Sequence, residues 1–425
     1  MKTIHWFRHD LRLDDNAAFN AAVKNSSSLA CIYIIDPAWF ELSSFGQRHM
    51  GVHRWQFLLA CLSDLRQQLS KHKLRLDIFR GEPSTTMHAL LAHNNIDAVS
   101  VENHYGYNET KDLDALQRRH EEIQWLVGDS AYLYPVEDLP FALKDMPDTF
   151  SSFRKKIEKQ ATPRQSETSE LLSSISDTCA LDLYTDGLAV EPLLKTSRSA
   201  NNGYLGGETG ANQRIRHYFF ETNNIARYKQ TRNQLDGWDF SSRLSAYLSF
   251  GCVSPAKVYQ SIKQYEHEVV ANESSYWLFF ELLWREFFHL LHKKHGKAFF
   301  SKQGLKTQAP AGLLDQKKLK RWQSGQTNFD IVDACMKQLN TTGFMSNRGR
   351  QLCASCLVNE LALDWRYGAA YFEEMLVDFD VAINWGNWQY LAGVGADPRG
   401  SRHFNLAKQT EQYDPQRQFI NTWLS

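Results

Sequence analysis

The 425-residue chain carries 48 Lys and Arg against 48 Asp and Glu, so its formal net charge is zero and no overall field recruits a polyanion. Its length points to about two to three domains. Seven Cys without paired spacing exclude a disulfide framework, and no uncharged apolar run is long enough to span a bilayer, which together predict a soluble protein of the reducing cytoplasm.

Along the first third, short apolar runs alternate with amphipathic stretches: "TIHWF", "NAAFNAAVK", "LACIYIID", "HRWQFLLACLSDLRQQLSKH", "LRLDIFRG", "TMHALLAHN", "AVSVEN", "KDLDALQRRHEE" and "AYLY". This alternation predicts an α/β domain over residues 1–135, a doubly wound parallel sheet with helices on both faces. No GxGxxG follows the first run, so a dinucleotide-fingerprint loop is excluded. Residues 136–210 turn to Ser, Thr, Glu and Gln, as in "KQATPRQSETSELLSSISDT", and read as a surface connector. From 211 to 425 the period is helical, through "SYWLFFELLWREFFHLLHKKHG", "GRQLCASCLVNELAL" and "YGAAYFEEMLVDFDV", which predicts an all-helical second domain. Eight of the twelve Trp lie after residue 230, and such a domain suits a large planar ligand held among helices. For any single Trp, core filling explains the residue as well.

Within the helical half, "WDFSSRLSAYLSFG" clusters Ser241, Ser242 and Ser245 with Arg243 where a helix should begin. Free N–H groups, hydroxyls and a guanidinium there suit a phosphate or diphosphate, and an ordinary Ser N-cap suits the same letters. In "FFELLWREFF", Glu281, Trp284 and Arg285 share one helical face, and charges inside so apolar a helix are costly unless paired or used. A Glu281–Arg285 ion pair and a base-stacking Trp284 both fit. "TGFMSNRGRQ" sets Asn347, Arg348, Arg350 and Gln351 at a helix start, and "DFD" offers Asp378 and Asp380 as partners for Arg350. A nucleic-acid patch would draw on "HKKHGK" (292–297), "KKLKR" (317–321) and Arg348 with Arg350, although each run alone reads more readily as solvated surface. Cys353 and Cys356 form a CxxC in an apolar helix with no second pair, so they read as core thiols and no metal site is expected.

Taken in order, these residues resemble the photolyase and cryptochrome flavoproteins over nearly the whole chain. "WFRHDLRLDDN" begins the match, and "NRGRQ", "WGNWQY" and "AGVGADPR" resemble the cryptochrome-DASH branch in particular. The resemblance implies a light-driven flavoenzyme, a deoxyribodipyrimidine photo-lyase, with FAD in the helical domain. Tyr228, Ser241, Ser242, Arg243, Leu244 and Ser245 would hold the diphosphate. Glu281, Arg285, Asn347, Arg350, Asp378, Asp380 and Asn384 would surround the cofactor, with Arg350 paired to Asp378 and Asn384 facing flavin N5. Trp388 and Trp365 match the inner members of a tryptophan electron relay. Its usual outer Trp is missing from "GLKTQAPAGLLDQKKLKR", which leaves a Tyr, Trp322 or a shorter relay.

The resemblance also implies that Glu281, Trp284 and Asn347 receive a cyclobutane pyrimidine dimer flipped out of DNA. Gln351 and Tyr390 stand where dimer photolyases carry Met and Trp, so single-stranded, lesion-containing DNA is the expected partner. "MSNR" lacks the His that (6-4) repair uses. Glu109, in "VENHYGYNET", is the candidate carboxylate for a methenyltetrahydrofolate antenna; a helix-starting carboxylate in a polar loop reads equally well. "TNFDIVDACM" departs from the family at Asn328 and Asp330, where Gly and Pro are usual, and its helix is expected to survive. The protein is expected to be a monomer. A photoreceptor with little or no repair is the rival reading, favoured less because no long extension follows "NTWLS"; a non-catalytic two-domain binding protein is disfavoured by the buried polar cluster.

Overall fold

Five parallel strands, β1 (Lys2–Phe7), β2 (Ser28–Ile35), β3 (Leu76–Arg80), β4 (Ala98–Glu102) and β5 (Gln124–Gly128), stand in the order β3-β2-β1-β4-β5 in a computed structural model describing residues 1–167, 179–189, 203–397, 400 and 402–425. Lys2 lies opposite Ser28 and Thr3 opposite Ala98, so β1 is the centre from which the chain winds first one way and then the other. The two-residue period of the strands sorts their side chains cleanly. Ile4, Trp6, Ile32, Ile34 and Phe79 form one buried face, and Phe7, Cys31, Tyr33, Ile35 and Ile78 the other. Helices cover both, which is the expected doubly wound α/β domain.

Two expectations need correction. The fifth strand is "QWLVG", not "AYLY": the edge strand pairs with β4, whereas Tyr132, Leu133 and Tyr134 run on into the domain boundary, fully buried. The connector is also more than surface chain. Helix Phe150–Gln160 lies in it, β6 (Cys179–Ala180) pairs with β2, and Arg80 N donates to Ala189 O at 2.8 Å. Residues 168–178 of the polar stretch, and 190–202, lie outside the described residues.

The helical domain is organised around the 23-residue helix Glu273–His295, whose start is fixed by a capping box between Asn272 and Ser275. Against it packs helix Val381–Ala392, so closely that a Cβ at Gly386 would overlap the Phe288 ring. Helix Asp330–Thr342 forms despite the unusual letters before it: Asn328 takes a positive φ of 73°, the conformation that Gly adopts freely, and Asp333 reaches back to accept from Thr327 N and Asn328 N. Cys353 and Cys356 are free, buried thiols, as expected.

Polar clasps join the domains. Glu286, fully buried, accepts from Leu133 N at 2.8 Å and from Arg285 Nη1 at 2.9 Å, and Arg285 also donates to Ala131 O. Leu11 N donates to Phe250 O, and Arg12 Nη1 to Gly251 O. Among the described residues, no helix is long and apolar enough to cross a membrane.

Candidate functional site

The stretch "DFDVAINWGNWQY" turns from a loop into helix Val381–Ala392 at Asp380, whose carboxylate caps the helix by accepting from Ile383 N at 2.9 Å. That carboxylate is then spent: Tyr105 Oη donates to it at 2.5 Å and His289 Nε2 at 2.8 Å, while the Tyr105 and His289 rings stack at 3.5 Å and 17°. The Asp380 carboxylate is therefore engaged by Tyr105, His289 and Ile383 N, and a part in lining a flavin would fall to the rest of the residue. The carboxylate faces the domain boundary, because a buried carboxylate takes whatever donors surround it.

Burial alone would push the Asp380 carboxyl up, but its interaction with His289, the charge of Arg285 and the Tyr105 hydroxyl outweigh it and hold the group below the usual carboxylate range. Burial, then Arg285, lowers His289 to about 4, and burial lowers His292 to about 4. Both imidazoles therefore stay neutral at pH 7 and donate or accept as uncharged groups. Between the ordinary histidine value and pH 4 the unfolded chain binds protons that the folded one does not, so stability should fall as pH drops through that window, by on the order of a few kcal/mol. Urea midpoints measured from pH 7 to pH 4.5 check this, and His289→Gln should flatten the slope.

Two residues before Asp380, Asp378 meets Arg350. Helix Asn347–Ser355 begins at Ser346, whose Oγ accepts from Gly349 N at 3.0 Å, and its first turn carries Arg350 inward. Arg350 Nη2 bonds both oxygens of Asp378 at 2.9 and 2.8 Å, and its Nε donates to Met345 O. The Asp378 side chain is 2% exposed and that of Arg350 27%, so the pair is rooted in protein and opens at its cationic end. One turn into the next helix, Asn384 is buried; its Nδ2 donates to Ala369 O at 3.0 Å, and its carbonyl oxygen makes no hydrogen bond among the described residues. The helices of Arg350 and Asn384 pack on each other, and a charge pair and an unspent amide oxygen on packed helices fit a polar heterocycle such as the isoalloxazine of FAD.

The serine cluster is arranged differently from its sequence reading. The helix starts at Ser245, exposed, with Leu244 at the N-cap and no side chain capping it. Its first N–H groups remain available for an anion. Ser242 is buried and Ser241 half-buried. Arg243, at φ 58°, folds back: it donates to Gly237 O and lies 3.3 Å from the centre of the Phe344 ring. Its guanidinium is occupied by Gly237 O and the Phe344 ring, so it is not a free charge at the helix start. Tyr228 is buried at the start of a short helix, its hydroxyl pushed up to about 12 chiefly by burial, so it stays a neutral donor.

On the long helix, the Glu281–Arg285 pair that the spacing allows does not form. Glu281 pairs with Arg232, and Arg285 turns to the domain boundary and Glu286. One face of Trp284 is covered by Phe150 of the connector, parallel at 3.7 Å and 9°, which reduces the open stacking surface expected for it. Tyr390 stands edge-on to Trp284 at 6.0 Å, its hydroxyl bonded to Arg402. Gln351 is half-buried and Asn347 exposed. Of the cations nearby, Arg348 was singled out by the sequence runs; Arg232 and Lys229 were not, and they are paired with Glu281 and Glu273. Arg232 and Lys229 lie over Trp277, and Arg348 stands near enough to Arg232 for their charges to repel while stacking on Tyr413. "HKKHGK" instead serves the domain boundary, with Lys293 over Tyr132 and Lys294 on Met146 O.

Trp388 lies with its outer ring edge against Gly368, one turn along from Trp365 on helix Trp365–Met375. Trp322 is fully buried and 6.1 Å from Trp388 itself, so it cannot extend a relay outward beyond Trp365. Glu109 starts helix Tyr107–Arg119 at the mouth of the β4 loop, 3.8 Å from His104, and its backbone oxygen accepts from Arg8.

Residues 3–170 match the family model described as DNA photolyase, and 277–425 the FAD binding domain of DNA photolyase. The Cryptochrome DASH of Idiomarina loihiensis is 43% identical, covering 98% of this chain and 91% of its own length. The Cryptochrome DASH of Xenopus laevis is 38% identical, covering 98% and 81%. The crystal structure of a Synechocystis sp. cryptochrome superposes with a TM-score of 0.93 at 36% identity, over 100% of this chain and 88% of that one. An archaeal photolyase from Sulfolobus tokodaii, solved with two FAD molecules, gives 0.82 at 27%, over 100% and 90%. Pro398 and Arg399 of "AGVGADPR" lie outside the described residues.

Proposed function

This chain belongs to the photolyase and cryptochrome flavoprotein family, in its cryptochrome-DASH branch, and from that premise we propose that it is a blue-light-dependent FAD enzyme that splits cyclobutane pyrimidine dimers, preferentially in single-stranded DNA. The observation that carries this reading is the Arg350–Asp378 pair, with Arg350 on a helix packed against the one that carries the unspent carbonyl of Asn384.

Tyr228, Ser241, Ser242, Ser245, Asn347, Arg350, Asp378 and Asn384 would hold the cofactor. When bound, reduced and excited by blue light, FAD supplies the electron that opens a dimer's cyclobutane ring. The chain supplies the rest. Arg350 and Asp378 cancel in charge yet leave the cation outermost, which favours an anionic ligand beside it. The amide of Asn384 accepts or donates without titrating, so its contribution does not change with pH. Glu281, held by Arg232, presents a fixed carboxylate to base edges, and Trp284 and Tyr390 meet edge to face as the wall against which a flipped pair would rest.

Preference for single strands follows from what this wall lacks. Phe150 covers one face of Trp284, and the Tyr390 hydroxyl is tied to Arg402, so the apolar area that offsets unstacking a duplex is small. Glu109 would serve a methenyltetrahydrofolate antenna at the domain boundary. The enzyme would act as a monomer, in the cytoplasm.

The test is illumination of the reduced protein with dimer-containing single-stranded and duplex oligonucleotides, measuring thymine recovered. Recovery from the single strand well ahead of the duplex is expected. Equal recovery from both would contradict the account of Trp284 and Tyr390, and recovery from neither would leave a signalling flavoprotein.

A further inference from the structure

We propose that Trp385, Glu373 and His49 form the outer end of the electron relay in this chain, with Trp385 giving up the electron and Glu373 taking its ring proton; the inference rests on the flavoprotein reading above. The loop that lacks the usual outer tryptophan still runs beside the relay. Leu313 N donates to Ala362 O at 3.2 Å and Asp364 N to Leu313 O at 3.1 Å, which brings the loop against the start of helix Trp365–Met375. What it carries there is Ala311, Gly312, Leu313 and Leu314, and none of these side chains can be oxidised in one-electron steps.

Trp365 has another neighbour. Its ring meets Trp385 edge to face at 5.7 Å and 77°, the one ring pair that Trp365 makes among the described residues. Trp385 is itself buried, but its Nε1 donates to Glu373 Oε2 at 3.1 Å. The other oxygen of that carboxylate bonds Nδ1 of His49 at 2.6 Å, and the His49 side chain is 52% exposed. From Trp365 outward the contacts run on to solvent, through Trp385, Glu373 and His49, and inward Trp388 lies against Gly368, one turn along the helix that Trp365 begins. Oxidation makes an indole N–H strongly acidic, and the acceptor is already within hydrogen-bond reach.

The step balances as follows. An electron leaves Trp388 for the light-excited oxidised flavin, Trp365 refills Trp388, and Trp385 refills Trp365, so the hole rests on Trp385. The Nε1–H bond then breaks and a carboxyl O–H forms on Glu373, which His49 connects to bulk water. An external thiol returns one electron and one proton to the neutral Trp385 radical, and pairs of the resulting thiyl radicals end as disulfide. Separating the proton from the radical keeps the charge from flowing back.

Flash spectroscopy and electron paramagnetic resonance on the FAD-loaded wild type, W385F, W385Y and E373Q test this. The wild type should end in a neutral tryptophanyl radical. E373Q should hold the protonated tryptophan radical cation instead, with deprotonation slowed by about a hundredfold. W385Y should give a tyrosyl signal, and W385F a shorter-lived radical and a lower yield of thiol-supported photoreduction. A wild-type radical and lifetime in W385F, or no tyrosyl signal in a flavin-loaded W385Y, would remove Trp385 from the relay. Unchanged deprotonation in E373Q would remove Glu373. A wild-type protein that holds no flavin would sink the flavoprotein reading instead, which separates the two failures.

Discussion

Asp378→Ala is expected to purify almost free of flavin. The guanidinium of Arg350 is fixed by Met345 O and closed by both oxygens of Asp378; without the carboxylate it keeps its place but loses its counter-charge. Removing one partner of a fully buried pair costs about 3–5 kcal/mol. Because Arg350 opens toward solvent at one end, about 1–3 kcal/mol is the fitting range here. A neutral, oxidised flavin would cover the exposed end of Arg350, so the unpaired cation is desolvated on binding, and a loss of that size weakens cofactor affinity by roughly five- to a hundredfold. Asp378→Asn, which keeps an acceptor oxygen, should fall between Ala and the wild type. The ratio of flavin-band to protein-band absorbance after gel filtration reads both. Full flavin content in the Ala variant would show that the pair plays no part in holding the cofactor.

Gly251→Ala should be the most damaging single methyl in the domain boundary. Gly251 sits at φ 63°, and a Cβ there would overlap the carbonyl of His9, which is backbone and cannot swing aside. The left-handed conformation costs an L residue about 1–2 kcal/mol, and forcing apart a packed contact about 1–3 more. The same contact carries the bonds from Leu11 N to Phe250 O and from Arg12 Nη1 to Gly251 O, so shifting it strains both domains. Gly46 is the control: its φ is 72° and no atom lies within 4 Å of the place an added methyl would take, so Gly46→Ala should lose the conformational part alone. Urea unfolding should separate the two variants by about 2 kcal/mol.

What could be read from the letters was what local pattern determines. The alternating runs of β1 to β4 and the long apolar helix announce themselves by period, and Arg350 and Asp378 were paired through the family resemblance. Partner choice among several nearby charges was not legible. Glu281 and Arg285 share a helix face in sequence, but the helix is clasped between Arg232 on one side and the chain after β5 on the other, and each charge takes the nearer partner. Arg243 likewise looked free because its cage of Gly237 O and Phe344 comes from tertiary folding. "AYLY" reads as a strand since burial at a domain boundary selects the same apolar aromatics as burial in a sheet, and "QWLVG" was passed over. Phe150 on Trp284 had no sequence signal, as it arrives from a connector whose composition reads polar.

The central claim is that the helical domain encloses FAD with the Asn384 amide at flavin N5. The structure of the protein crystallised with FAD present is the most direct measurement. One cofactor among the helices, within hydrogen-bond reach of Asn384 Oδ1 and beside the Arg350–Asp378 pair, is the result expected. A space closed by side chains, or Asn384 directed away from the ligand into bulk water, would contradict it.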